Sequence, residues 1–101
     1  MSQQHLLQET TDSAVQVYVF SSKTCEPCAL VKPVIDELHE QYSECVWTFV
    51  DIANDPQKMV AQFGVTSVPC MVVRRNDTTL AMCRGTQMFP YYVALKKATT
   101  Q

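Results

Sequence analysis

The chain has 101 residues, enough for one folded core and too few for two, so a single domain over residues 1–101 is expected. Hydrophobic residues make up 47% and charged residues 18%, with two glycines and a formal net charge of -2, which is the composition of a packed globular protein and not of a disordered tail. No stretch concentrates Lys or Arg, and Met1 to Thr11 is polar apart from Leu6 and Leu7; the expectation is a cytoplasmic protein that engages neither nucleic acid nor membrane.

Gln3 to Thr11 carries a weak helical pattern around Leu6 and Leu7, punctuated by Asp12-Ser13. Val15 to Phe20 is β-branched or aromatic apart from Gln16 and stops at the polar run Ser21-Ser22-Lys23-Thr24, which predicts a buried strand. A helix follows Cys25. Pro27 falls near its first turn, where a missing N–H is harmless, and Val31, Ile35, Leu38 and Tyr42 form an apolar stripe. Pro33 inside this stretch predicts a kink, and the helix should run to about Tyr42.

Cys45 to Ile52, rich in Val, Trp, Phe and Ile, predicts a second strand. Asn54-Asp55-Pro56 opens a short helix containing Met59, Val60 and Phe63, which Gly64 ends. Met71 to Val73, the turn Asn76-Asp77 and a strand from about Thr79 to Arg84, closing at Gly85, make a hairpin. Met88 to about Ala98, with Pro90 near its start, reads as a C-terminal helix. This order implies an α/β fold: a mixed central sheet flanked by helices on both faces.

Five cysteines, at 25, 28, 45, 70 and 83, form no secreted disulfide framework, and a reducing compartment would keep most of them as thiols. Cys25 and Cys28 stand three apart where a strand gives way to a helix, so both sulfurs lie on one side of the first turn. Unpaired N–H groups and the positive end of the helix dipole stabilise a thiolate there; comparable settings lower a thiol pKa from about 8.5 to roughly 7 or below. Cys25 is the candidate nucleophile. Cys28, one turn deeper, is the candidate resolving thiol that attacks the mixed disulfide formed on Cys25. Pro27 stiffens the dipeptide between them, while Glu26 opposes the thiolate and Lys23 partly offsets it. Half of a zinc site is the competing reading, but Cys45, Cys70 and Cys83 are singletons and His5 and His39 lack partners at ligand spacing, so no metal is expected.

Val17 through Tyr42, with Cys25-Glu26-Pro27-Cys28 and then Pro33, resembles the active-site strand and kinked helix of thioredoxins. Phe63-Gly64-Val65-Thr66-Ser67-Val68-Pro69 resembles their cis-proline loop. The likeness spans roughly Val15 to Leu95, and the two motifs together are far more specific than a bare Cys-x-x-Cys. The resemblance implies a cis Val68-Pro69 bond beside the cysteine pair, with the Val68 backbone free to pair with an extended client, and Gly85 bordering the same groove. It also implies a protein-disulfide reductase with no bound cofactor beyond the Cys25–Cys28 disulfide, acting as a monomer on protein disulfides and recharged by a thioredoxin-reductase-type donor.

The chain departs from the family at three places. Thr24 stands where thioredoxins have Trp, and Ser21 replaces another aromatic, so the rim that meets the client is thinner. Val19 occupies the position of a buried Asp that helps deprotonate the resolving cysteine, so the Cys28 proton must leave through water or another group. The N-terminal segment is short for the family's extra first strand, which implies a four-stranded sheet, with five strands as the alternative. That last feature keeps open a glutaredoxin-like protein recharged by glutathione; the thin rim and missing Asp keep open a thioredoxin-fold docking subunit with incidental redox activity. Cys70, next to Pro69, is read as a core residue with a regulatory thiol as the alternative. Cys45 and Cys83 are read as packing or surface thiols, Trp47 as core, His39 as solvated, Arg74-Arg75 as a solvated pair, and the Met88 to Tyr92 cluster as docking the last helix.

Overall fold

The computed structural model describes residues 14–100; the helix expected over Gln3 to Thr11 and the question of a preceding strand lie outside the described residues. In chain order the elements are β1 (Val15–Ser21), α1 (Glu26–Gln41), β2 (Val46–Asp51), α2 (Met59–Gln62), β3 (Cys70–Arg75), β4 (Thr78–Arg84) and α3 (Phe89–Thr100). The described strands form one four-stranded sheet in the order β2-β1-β3-β4. Crossover through α1 makes β1 and β2 parallel, whereas β3 runs antiparallel to both β1 and β4.

The hairpin is longer than its apolar residues suggested. Arg74 and Arg75 extend β3 because they pair with Thr79 and Thr78 across a two-residue turn, in which Asn76 takes the left-handed conformation at φ 56°. Ladder hydrogen bonds hold this end without buried side chains; Arg74 also bonds Thr79 Oγ1 at 2.6 Å and lies over the Phe63 ring.

Alternation along the strands sorts the core onto two faces. Val15, Val17 and Val19 of β1 join Met71, Val73 and Cys83 against Val31, Ile35 and Leu38 of α1 and Tyr91, Ala94, Leu95 and Ala98 of α3. On the other face Phe20, Cys70 and Val72 pack with Val50 and Val65, covered by Met59, Val60 and Phe63 around α2. Helices therefore cover both faces, two on one side and a single turn on the other. Trp47, expected in the core, lies half-buried at the margin, because β2 is the outer strand of the described sheet.

One feature of the register positions the site. Phe20 pairs with Cys70, so the residues that follow β1 lie beside those that precede β3. This places the Ser21 to Cys25 turn against the Val68-Pro69 loop.

Candidate active site

Cys25 is the N-cap of α1, with extended backbone (φ -95°, ψ 109°), and its sulfur takes the place of the usual capping oxygen: the Cys28 N–H donates to Cys25 Sγ at 3.1 Å. Its carbonyl accepts the first helical bond, from the Ala29 N–H at 3.3 Å. The turn before it is closed by the Cys25 N–H on the Ser22 carbonyl at 3.2 Å and by contact of the Ser22 and Thr24 hydroxyls. Pro27 lies in the first helical turn, and α1 runs on past Pro33 to Gln41. Cys25 and Cys28 are joined as a disulfide with Cα atoms 5.2 Å apart. Cys25 is partly exposed, Cys28 is only 7% exposed, and Thr24, Glu26 and Pro27 are exposed around them.

The second motif meets the first. Val68-Pro69 is a cis peptide, and the Val68 carbonyl oxygen lies 3.8 Å from Cys25 Sγ across 43 residues of sequence. Gly85, at φ 83°, donates its N–H to the Pro69 carbonyl at 3.2 Å. Cys25, Val68, Pro69 and Gly85 are thus joined in one rim, with Thr24 exposed one residue before Cys25. A groove of about 770 Å³ that touches Val68 and neither cysteine is lined by Ile52, Val60, Val65 and Thr66 together with Asp55 and Lys58.

Behind the pair lies a second cavity, of about 280 Å³, which touches Cys25, Cys28 and Pro69. Its wall is Val19, Val31, Ile35 and Phe49, and its mouth is Ser21, Ser22, Lys23 and Lys32. Among the described residues, no carboxylate or imidazole lines it. Lys32 pairs with Asp36 at 3.0 Å on the helix surface. Among the described residues, no group of three or more His, Cys, Asp or Glu is arranged to hold a metal.

The other cysteines are electrostatically quiet. Burial pushes the Cys45 thiol up to about 11, with the neighbouring Glu44 adding to the effect. Burial also raises Cys70, although the Arg84 side chain beside it pulls the other way, and raises Cys83. All three are buried free thiols.

Phe49, which forms the cavity's outer wall, escaped the sequence reading; its alternation with Trp47 along β2 was the available signal. His39 is exposed, as expected, and its ring also packs 4.9 Å from Trp47 and 5.3 Å from Phe49.

Beyond the geometry, the family model for Thioredoxin matches residues 2–92. The chain belongs to the thioredoxin family. Thioredoxin 1 of Synechococcus elongatus is 33% identical to it over 78 residues, 72% of this chain and 73% of that protein. The crystal structure of thioredoxin from Trypanosoma brucei brucei superposes with a TM-score of 0.80 at 15% identity, covering 97% of this chain and 86% of that one. A chain from the crystal structure of a ferredoxin:thioredoxin reductase and thioredoxin f2 complex gives a TM-score of 0.79 at 18% identity, covering 93% and 86%. This thioredoxin-family protein is a thiol–disulfide oxidoreductase that reduces protein disulfides. The family works through its cysteine pair and needs no further cofactor. Its thioredoxin relatives favour this reading over a glutaredoxin-like one.

Proposed function

We propose that Cys25 is the attacking thiolate and Cys28 the resolving thiol of a cytoplasmic, monomeric protein-disulfide reductase, a two-electron carrier that a thioredoxin-reductase-type enzyme recharges. The observation that supports the roles is the asymmetry of the pair: Cys25 is partly exposed at the cap of α1 with a helical N–H on its sulfur, while Cys28 is buried one turn deeper. A dipole end and an N–H donor stabilise negative charge on Cys25 Sγ. Cys25 thiolate attacks one sulfur of the client disulfide, forming a mixed disulfide and expelling the first client thiolate. Cys28 then loses its proton, attacks Cys25 Sγ and expels the second. The client gains two electrons and two protons, the protein keeps a Cys25–Cys28 disulfide, and the donor returns two electrons to it.

Client binding falls to the rim. Val68 precedes the first ladder pair of β3, Cys70 with Arg84, so an extended client segment can add beside it by main-chain bonds. Thr24, Pro69 and Gly85 border that segment, and Glu26, Pro27 and Pro33 shape the pair and its helix. A reductase donor is supported by the thioredoxin f2 chain found in complex with ferredoxin:thioredoxin reductase. Three free cysteines beside one redox pair support a reducing compartment.

Insulin-disulfide reduction tests the reading, with dithiothreitol, a thioredoxin reductase with NADPH, or glutathione as donor. Activity of the wild type with the first two, lost in Cys25→Ser, is the expected result. Activity retained by Cys25→Ser, or turnover with glutathione alone, overturns it.

A further inference from the structure

We infer that Tyr91 is a positioning residue for client binding, fixing through its hydroxyl the Gly85 side of the rim. The inference rests on the proposed role of Val68, Pro69 and Gly85 in holding the client backbone.

Tyr91 sits in the first turns of α3, 1% exposed, in the core cluster with Cys83, Ala94 and Leu95. A phenol buried this fully needs a partner. It donates to the Gly85 carbonyl at 2.8 Å. Gly85 in turn donates its N–H to the Pro69 carbonyl at 3.2 Å, and Pro69 follows Val68, whose carbonyl lies 3.8 Å from Cys25 Sγ. One buried hydroxyl is therefore linked through two peptide groups to the loop at the nucleophile.

The position of Gly85 gives the tether its function. It follows the terminal ladder pair of β4, Arg84 with Cys70, and its φ of 83° is one that only the loosest residue adopts freely. Its N–H and its carbonyl belong to the two peptide planes that meet at its Cα. The bond to Pro69 fixes one plane and the bond from Tyr91 fixes the other, so losing the hydroxyl frees the second. Among the described residues a Cβ at Gly85 would meet nothing within 4 Å, so packing on that side does not replace the lost bond. Burial also pushes the Tyr91 phenol up to about 12, which keeps it a donor at any pH where the dithiol works.

The test is Tyr91→Phe in the full chain, which removes one oxygen and keeps the ring. Reduced protein is mixed with insulin, with hydroxyethyl disulfide, and with a cysteine peptide dimer bearing either a normal or an N-methylated amide beside its cysteine. The expected result is about a five-fold slower reaction with insulin and with the unmethylated peptide, the factor a single neutral hydrogen bond supplies, with the hydroxyethyl disulfide rate unchanged. Amide exchange at Gly85 should quicken, because the freed carbonyl plane loosens the Cα shared with the N–H bonded to Pro69, while exchange at Val72 in mid-sheet should not. Unchanged rates with insulin, or an equal loss with the small disulfide, overturns the positioning role, since a merely structural tyrosine would slow all substrates or none. Should the wild type reduce the N-methylated peptide as fast as the normal one, strand addition itself fails. Discrimination against N-methylation retained at full rate in Tyr91→Phe removes the Tyr91 inference alone.

Discussion

Toward the client, the Cys25–Cys28 pair is bordered by backbone: the cis Val68-Pro69 loop and Gly85, joined by a main-chain bond. On its inner side the pair is bordered by side chains, and these are apolar: Val19, Val31, Ile35 and Phe49 around a cavity open at Lys23 and Lys32. The cis Val68-Pro69 bond that the family motif implies is present, and the main-chain recognition proposed for it needs a particular chain path and little particular chemistry. The inner cavity depends on chemistry, and there Val19 shares the lining with Cys28 with no carboxylate among the described residues. On the roles proposed for Cys25 and Cys28, attack rests on the start of a helix and resolution on what the cavity admits.

Variants that separate the two steps should show the largest effects. Cys25→Ser should reduce insulin turnover to background, whereas Cys28→Ser should still attack and then stall, accumulating a client adduct visible on a non-reducing gel. Resolution in the wild type should next prove sensitive to small bases. At fixed pH, the stopped-flow rate of mixed-disulfide resolution should rise with imidazole concentration, since among the described residues the cavity beside Cys28 holds no carboxylate or imidazole. Val19→Asp should quicken resolution and remove that dependence. It should also lower stability in urea by roughly 2 to 4 kcal/mol, because a carboxylate is then placed at a site only 6% exposed.

A control away from both sides of the pair is Leu38→Ala. Leu38 is fully buried under α1, and the truncation should cost about 2 to 5 kcal/mol in urea while leaving the alkylation rate of Cys25 unchanged. The smallest effect concerns pH. Cys45, Cys70 and Cys83 have folded-state pKa values above their ordinary value near 9, and Tyr91 lies above its ordinary 10. Their stabilising contribution is whole below those ordinary values. It is lost as pH rises, because the unfolded chain releases these protons first, so urea midpoints should fall from about pH 9 and continue to fall to about 11 for Cys45. Below pH 8, the three thiols should react with iodoacetamide only after denaturant is added.

What the sequence disclosed follows the same division. The cysteine pair, the proline loop and the Val19 departure are local patterns, each readable because a few adjacent residues dictate the backbone or the chemistry. The hairpin's extra length was hidden because Arg74 and Arg75 are held by ladder bonds rather than by burial. Phe49 against the cavity, His39 over Trp47 and Tyr91 on Gly85 are contacts between segments, and residue type alone does not announce them. Tyr91 offered only a weak sign, a phenol among the apolar residues of a helix, whose partner the tertiary fold had to supply.

The most direct test is the alkylation rate of Cys25 in the reduced protein at pH 7, followed by mass spectrometry with limiting iodoacetamide. A thiolate stabilised at the cap of α1 should be modified about five-fold or more faster than a cysteine in an unstructured peptide, and well before Cys45, Cys70 or Cys83. A Cys25 no faster than the peptide would contradict its role as an activated nucleophile.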